Sequence, residues 1–136
     1  MVKDWLSFMN MQFQAENDIE KKLQEQHQLS LKEFSVLFYL NEAPNKKLKL
    51  LELQHQVGLS QSAMSRLVSR FEGKKCGVLN RHICVEDKRA IYIILTEEGE
   101  RKLTKALQTI SLIIEEFYSK VDINEYYHKL IGHLNK

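Results

Sequence analysis

The chain has little of what most specialised chemistries require. Over 136 residues it carries one proline, Pro44, and five glycines, which excludes collagen-like and low-complexity segments. Its two cysteines, Cys76 and Cys84, are too few for a disulfide framework and fit a reducing compartment. No apolar run approaches the roughly 18–20 residues of a membrane span, so no membrane partner is expected. The N-terminus, with Asp4, Asn10 and Gln12 among its apolar residues, has neither the order nor the cleavage site of a signal peptide, and a cytoplasmic location is expected. His27, His55, His82, His128 and His133 are scattered without a metal-binding spacing, so no metal site is expected. There is no Gly-rich phosphate loop and no nucleophile elbow, and accordingly neither an enzymatic activity nor a cofactor is expected.

What the chain does have is a hydrophobic fraction of 43%, enough for one compact domain over residues 1–136. Its charge is unevenly placed. Residues 1–59 hold seven Lys/Arg against eight Asp/Glu, residues 60–96 seven against three, and residues 97–136 six against seven. The formal net charge of +2 is therefore a middle segment of +4 between two segments of −1 each, and the positive excess lies almost wholly in the middle.

Apolar residues recur at near-helical spacing as Trp5, Phe8, Met9, Phe13, Ile19 and Leu23, which predicts an amphipathic helix from Asp4 to about His27. Large residues at a chain terminus point to burial against a partner. Ser30-Leu31-Lys32-Glu33 is a capping-box pattern that starts a second helix with Phe34, Leu37, Phe38 and Leu40 inward, and Pro44 ends it. A third helix is expected over 48–57 with Leu50, Leu51, Leu53 and Val57 inward. Gly58 then supplies a positive-φ residue, and Ser60 can cap the next helix within two residues. That short connection is the turn of a helix-turn-helix.

The fourth helix, from about Ser60 to Lys75, turns Ala63, Met64, Leu67, Val68 and Phe71 inward and Gln61, Ser62, Ser65, Arg66, Ser69 and Arg70 outward. The outward face carries hydroxyls, an amide and guanidinium groups but no carboxylate. Small side chains let a helix backbone approach a groove closely, with its N-terminal half nearest the base edges. An ordinary basic helix face is simply solvated; the position just after a glycine turn favours DNA reading here. Val78–Val85 and Ala90–Leu95 read as strands joined by Glu86-Asp87-Lys88-Arg89, a hairpin with a basic tip that suits a minor groove. Thr96 caps a long last stripe of Leu103, Leu107, Ile110, Ile113, Ile114, Phe117 and Val121, and Asp122, Asn124 and Glu125 mark a break before a short final helix. The apolar surplus at both chain ends is best covered by a symmetric dimer.

These elements resemble the MarR family of bacterial winged helix-turn-helix transcriptional regulators. Asp87-Lys88-Arg89, five residues, Leu95-Thr96 and Glu98-Gly99 are similar to the family's wing signature D-x-R-x5-L-T-x-x-G, and Leu59 to Val68, LSQSAMSRLV, is similar to its recognition helix. Cys76-Gly77-Val78 stands where many relatives have a Gly-Leu pair. The fold implied is mainly α with a small β-hairpin wing: a winged helix-turn-helix over 29–96, with 1–28 and 97–136 as dimerisation helices. The function implied is a homodimeric repressor on double-stranded DNA that binds a pseudo-palindromic operator. Gln61, Ser62, Ser65 and Arg66 would face the major groove. Arg70 would contact phosphate or buttress the wing. Lys88 and Arg89 would form the basic wing tip, with Arg89 in the minor groove and Asp87 holding an arginine by a charge-assisted bond.

A small-molecule effector is usual in that family, in a crevice between the dimer helices and the winged domain that Trp5, Phe8, His27, Phe34 and Phe38 could line, although an aromatic stripe at helical spacing is more often plain core. Thiol-based sensing through Cys76 or Cys84 is a further reading, since Lys74, Lys75, Arg81 and His82 could lower a thiol pKa. Eight residues of extended strand, at about 3.3 Å each, would hold the two thiols over ~20 Å apart and so unpaired. The rival class is a winged-helix protein-interaction module, which would have no need of the +4 segment.

Overall fold

The computed structural model describes residues 1–72, 77–83, 86, 90–120 and 122–134. The chain forms two compact units, residues 29–106 and residues 1–28 with 107–136.

In the first of these, helix α2 (Leu31–Glu42) begins with the expected capping box. The Glu33 N–H donates to Ser30 Oγ at 3.0 Å, and the Ser30 N–H donates to Glu33 Oε1 at 2.7 Å. Phe34, Val36, Leu37 and Leu40 are its buried face. Ala43 is extended, as the following Pro44 requires, and Pro44–Lys46 makes one tight turn with Asn45 at φ 57°. A short strand β1 (Lys47–Lys49) follows, overlapping the start of the helix expected over 48–57. Helix α3 (Leu50–Val57) therefore starts later than expected. Leu53 and Val57 are buried, whereas Leu51, expected inward, is 65% exposed. Leu53 and Val57 set the inward face, and Leu51, two positions before Leu53, falls on the far side of a 3.6-residue turn.

Helix α4 (Gln61–Phe71) is shorter than expected, because Glu72 turns extended and forms a parallel bridge with Leu79. Strands β2 (Leu79–Ile83) and β3 (Ile91–Leu95) then complete a three-stranded antiparallel sheet in the order β1-β3-β2. Leu79 stands opposite Leu95 and Ile83 opposite Ile91, while Leu48 of β1 stands opposite Ile93. Leu29, Leu37, Leu40, Leu53, Met64, Leu79, Ile93 and Leu103 are fully buried and form the core of this unit. Each such side chain stabilises the fold by about 1.5–3 kcal/mol through its burial.

The other unit is built from helix α1 (Val2–His27), the later part of helix α5 (Glu97–Lys120) and helix α6 (Ile123–Leu134). Ile19, Leu23 and Ile110 are its buried apolar residues among those described. His27 Nε2 and Thr109 Oγ1 are hydrogen-bonded at 2.7 Å, which ties the last turn of α1 to α5. Much of the apolar stripe stays uncovered: Trp5, Phe13 and Leu112 are 50%, 60% and 70% exposed, and Leu6, Met9, Tyr118, Tyr127 and Leu134 are exposed as well.

Candidate nucleic-acid interface

The geometry of α4 follows from its two ends. Gly58 takes φ 76°, where a Cβ would be strained, and its N–H donates to the Gln54 carbonyl at 2.9 Å, closing α3. Two residues later the Ser60 hydroxyl accepts the Ala63 N–H at 3.2 Å, opening α4. Met64, Leu67, Val68 and Phe71 anchor the helix to the core. Their spacing leaves Gln61, Ser62, Arg66, Ser69 and Arg70 exposed and Ser65 half-buried on the opposite face. Ala63, Ser65, Arg66, Ser69 and Arg70 line one open concavity there. All the residues expected to face DNA from this helix thus lie on one surface.

Arg70 has a partner that the helix itself does not supply. Its Nη2 stands 3.0 Å from Glu33 Oε2 of α2, so the carboxylate missing from the face is brought in from behind it. At the far end of α4, Glu72 pairs with Arg81 of β2 at 3.6 Å, linking the helix exit to the sheet. Lys32, one residue before Glu33, donates from Nζ to the Val57 carbonyl at 2.7 Å and so caps α3. The sequence pattern marks Glu33 as half of a capping box and Lys32 as an exposed helix residue. Neither longer contact has a local signal.

The second half of the wing signature, Leu95-Thr96 with Gly99, is a joint. The Thr96 N–H donates to the Val78 carbonyl at 3.1 Å, the Thr96 hydroxyl donates to the Gly77 carbonyl at 2.5 Å with the Val78 carbonyl 3.0 Å away, and the Gly99 N–H donates to that hydroxyl at 3.0 Å. A Cβ on Gly99 would collide with the Val78 carbonyl oxygen and the Leu95 side chain. The glycine is therefore required by close approach, and the motif fastens the start of α5 to the entry of β2. Asp87, Lys88 and Arg89, the first half of the signature, and Cys76 and Cys84 lie outside the described residues.

The five residues expected around an effector divide between the two units. Phe34, buried, and Phe38, half-buried, stack at 6.2 Å between ring centroids on α2. Trp5 is exposed and borders an apolar hollow with Met1, Val2 and Leu134, Phe8 is half-buried, and His27 is engaged with Thr109. Among the described residues no group of three or more His, Cys, Asp or Glu is placed to hold a metal ion, and no helix is long and apolar enough to cross a membrane.

A glycine turn, a capped helix with a basic outer face and a three-stranded antiparallel sheet behind it define a winged helix-turn-helix. Residues 29–91 match the model of the MarR family. Solved structures carry the likeness across nearly the whole chain. A MarR family transcriptional regulator from Streptomyces coelicolor, solved in complex with DNA, is 24% identical with a TM-score of 0.80, covering 96% of this chain and 79% of that one. AbsC, a MarR family transcriptional regulator from the same organism, is 21% identical with a TM-score of 0.80 over 96% and 86% of the two chains. NadR, solved in complex with 4-hydroxyphenylacetate, is 16% identical with a TM-score of 0.71 over 96% and 91%. At these identities the structures establish a shared winged-helix fold.

Proposed function

We propose that this chain is a sequence-specific DNA-binding transcriptional regulator, a repressor that binds a pseudo-palindromic operator as a homodimer and is released by a small ligand. The observation that carries the reading is the outer face of α4, where Gln61, Ser62, Ser65 and Arg66 stand together at the N-terminal half of a helix that opens on a serine cap. An amide and a guanidinium can bond base edges in a major groove, while hydroxyls and small side chains admit the close approach this needs. Lys88 and Arg89 act at the wing tip, Arg89 in the minor groove, with Asp87 orienting an arginine.

The exposed stripe of Trp5, Leu6, Met9 and Phe13 on α1, and of Leu112 and Tyr118 on α5, supports the homodimer. Such a dimer would set two recognition helices about 34–36 Å apart, one turn of duplex. The NadR complex with 4-hydroxyphenylacetate supports a small effector.

Selection of bound fragments from the source genome tests this reading, because operator and target emerge together. Enrichment of a two-fold-related sequence is the expected result. Recovery of fragments without a common motif would contradict it.

A further inference from the structure

We propose that Glu33 is a positioning residue for DNA binding, which presents the Arg70 guanidinium to a backbone phosphate. The inference rests on the DNA-binding reading above and concerns a residue on a helix that itself reads no base. A carboxylate close to a DNA-facing surface repels phosphate, so its presence beside Arg70 needs a reason. The geometry supplies one.

Glu33 is held at both oxygens. Oε1 accepts the Ser30 N–H at 2.7 Å, and Oε2 stands 3.0 Å from Arg70 Nη2. Its side chain is 11% exposed, so it is sheltered from a duplex lying against α4, whereas the Arg70 side chain is 65% exposed. A guanidinium has five N–H donors, and one carboxylate oxygen occupies only part of them. The rest belong to a largely exposed side chain that borders the α4 concavity with Ser69 and Arg66. An arginine free in solution must give up rotamer freedom to bind phosphate. Here that ordering is done in advance by α2, whose buried residues Phe34, Leu37 and Leu40 fix the base of the strut in the core. Ser30, Glu33 and Arg70 thus form one chain of contacts from a helix cap to the DNA-facing surface.

Glu33→Gln isolates the claim, because glutamine at this position still completes a capping box while losing the charge that holds Arg70. Operator affinity is measured in the full chain for Glu33→Gln, for Arg70→Ala and for both together, with urea melts as a check on the fold. Glu33→Gln is expected to weaken binding by about three- to tenfold for each half-site, because Arg70 keeps its phosphate contact but must be ordered on binding. Arg70→Ala is expected to lower the magnitude of the log–log salt slope by about 1.8, one phosphate in each half-site of the operator. In the Arg70→Ala background, Glu33→Gln is expected to leave affinity unchanged or raise it, since only the repulsion remains to be removed.

Tighter or unchanged binding by Glu33→Gln alone would overturn the inference, and so would equal weakening in both backgrounds, which is the mark of an effect through the fold of α2. Those outcomes leave the DNA-binding reading intact. Failure of the unsubstituted chain to bind any selected duplex removes that reading and this inference with it.

Discussion

Lys32 Nζ donates to the Val57 carbonyl at 2.7 Å across 25 residues of chain, so the first turn of α2 closes the last turn of α3 just before the glycine that starts the turn. A cation at a helix C-terminus both satisfies an orphan carbonyl and opposes the negative end of the helix dipole. Lys32→Met, which keeps the aliphatic stem, is expected to destabilise the protein by about 1 kcal/mol, a modest figure because the ammonium is partly solvated. Urea denaturation checks it. A midpoint equal to that of the unsubstituted chain would show the contact to be incidental.

Gly99 is fixed by close approach. With the Val78 carbonyl and Leu95 in the place a Cβ would occupy, Gly99→Ala must move the β2 entry or the start of α5. The expected cost is about 1–3 kcal/mol, the range for overpacking a filled site. The same melts measure it, and an alanine variant as stable as the parent would mean that the joint yields freely.

Ser60 opens the reading helix, and its hydroxyl accepts the Ala63 N–H at 3.2 Å. Ser60→Ala is expected to cost about 1 kcal/mol of stability, whereas Ser60→Asp keeps the cap and adds a carboxylate beside a DNA-facing surface. The two substitutions should therefore separate: alanine lowers stability with a small effect on DNA affinity, and aspartate does the reverse. Parallel melts and operator titrations would expose any other pattern.

Much of this was legible in the chain because the signals are local. The Ser30 and Ser60 caps, Pro44, Gly58 and the apolar spacing of the helices each act over a few residues, and the elements they mark are present. The third helix starts later than its pattern predicts because Lys47-Leu48-Lys49 is too short to carry a strand period, and it becomes a strand only by pairing with Tyr92 to Ile94. The fourth helix, expected to run to Lys75, ends at Phe71, where Glu72 turns extended and bridges to Leu79; Gly73, two residues after Phe71, is a local stop signal that an end at Lys75 passes over. At the interface, periodicity correctly put Arg70 on the outer face of α4 but could not find its partner. Glu33 lies on another helix, and its capping role accounts for it completely within its own neighbourhood.

The exposed stripe on α1 bears on assembly. Phe13 is 60% exposed at the middle of that stripe, and a carboxylate there would be buried unpaired in any interface that covers it. Phe13→Glu is expected to shift the protein to monomer in size-exclusion chromatography with light scattering, and to reduce operator affinity because two half-sites are no longer read together. A dimer of undiminished strength would place the subunit contact elsewhere.

The reading of α4 as a DNA-facing helix is tested most directly by titrating the purified chain with its selected operator duplex and with a scrambled duplex across a range of salt concentrations. The expected result is tighter binding to the operator, with log affinity falling linearly in log salt by about 0.9 for every phosphate neutralised. Equal affinity for both duplexes, or binding that does not respond to salt, would contradict it.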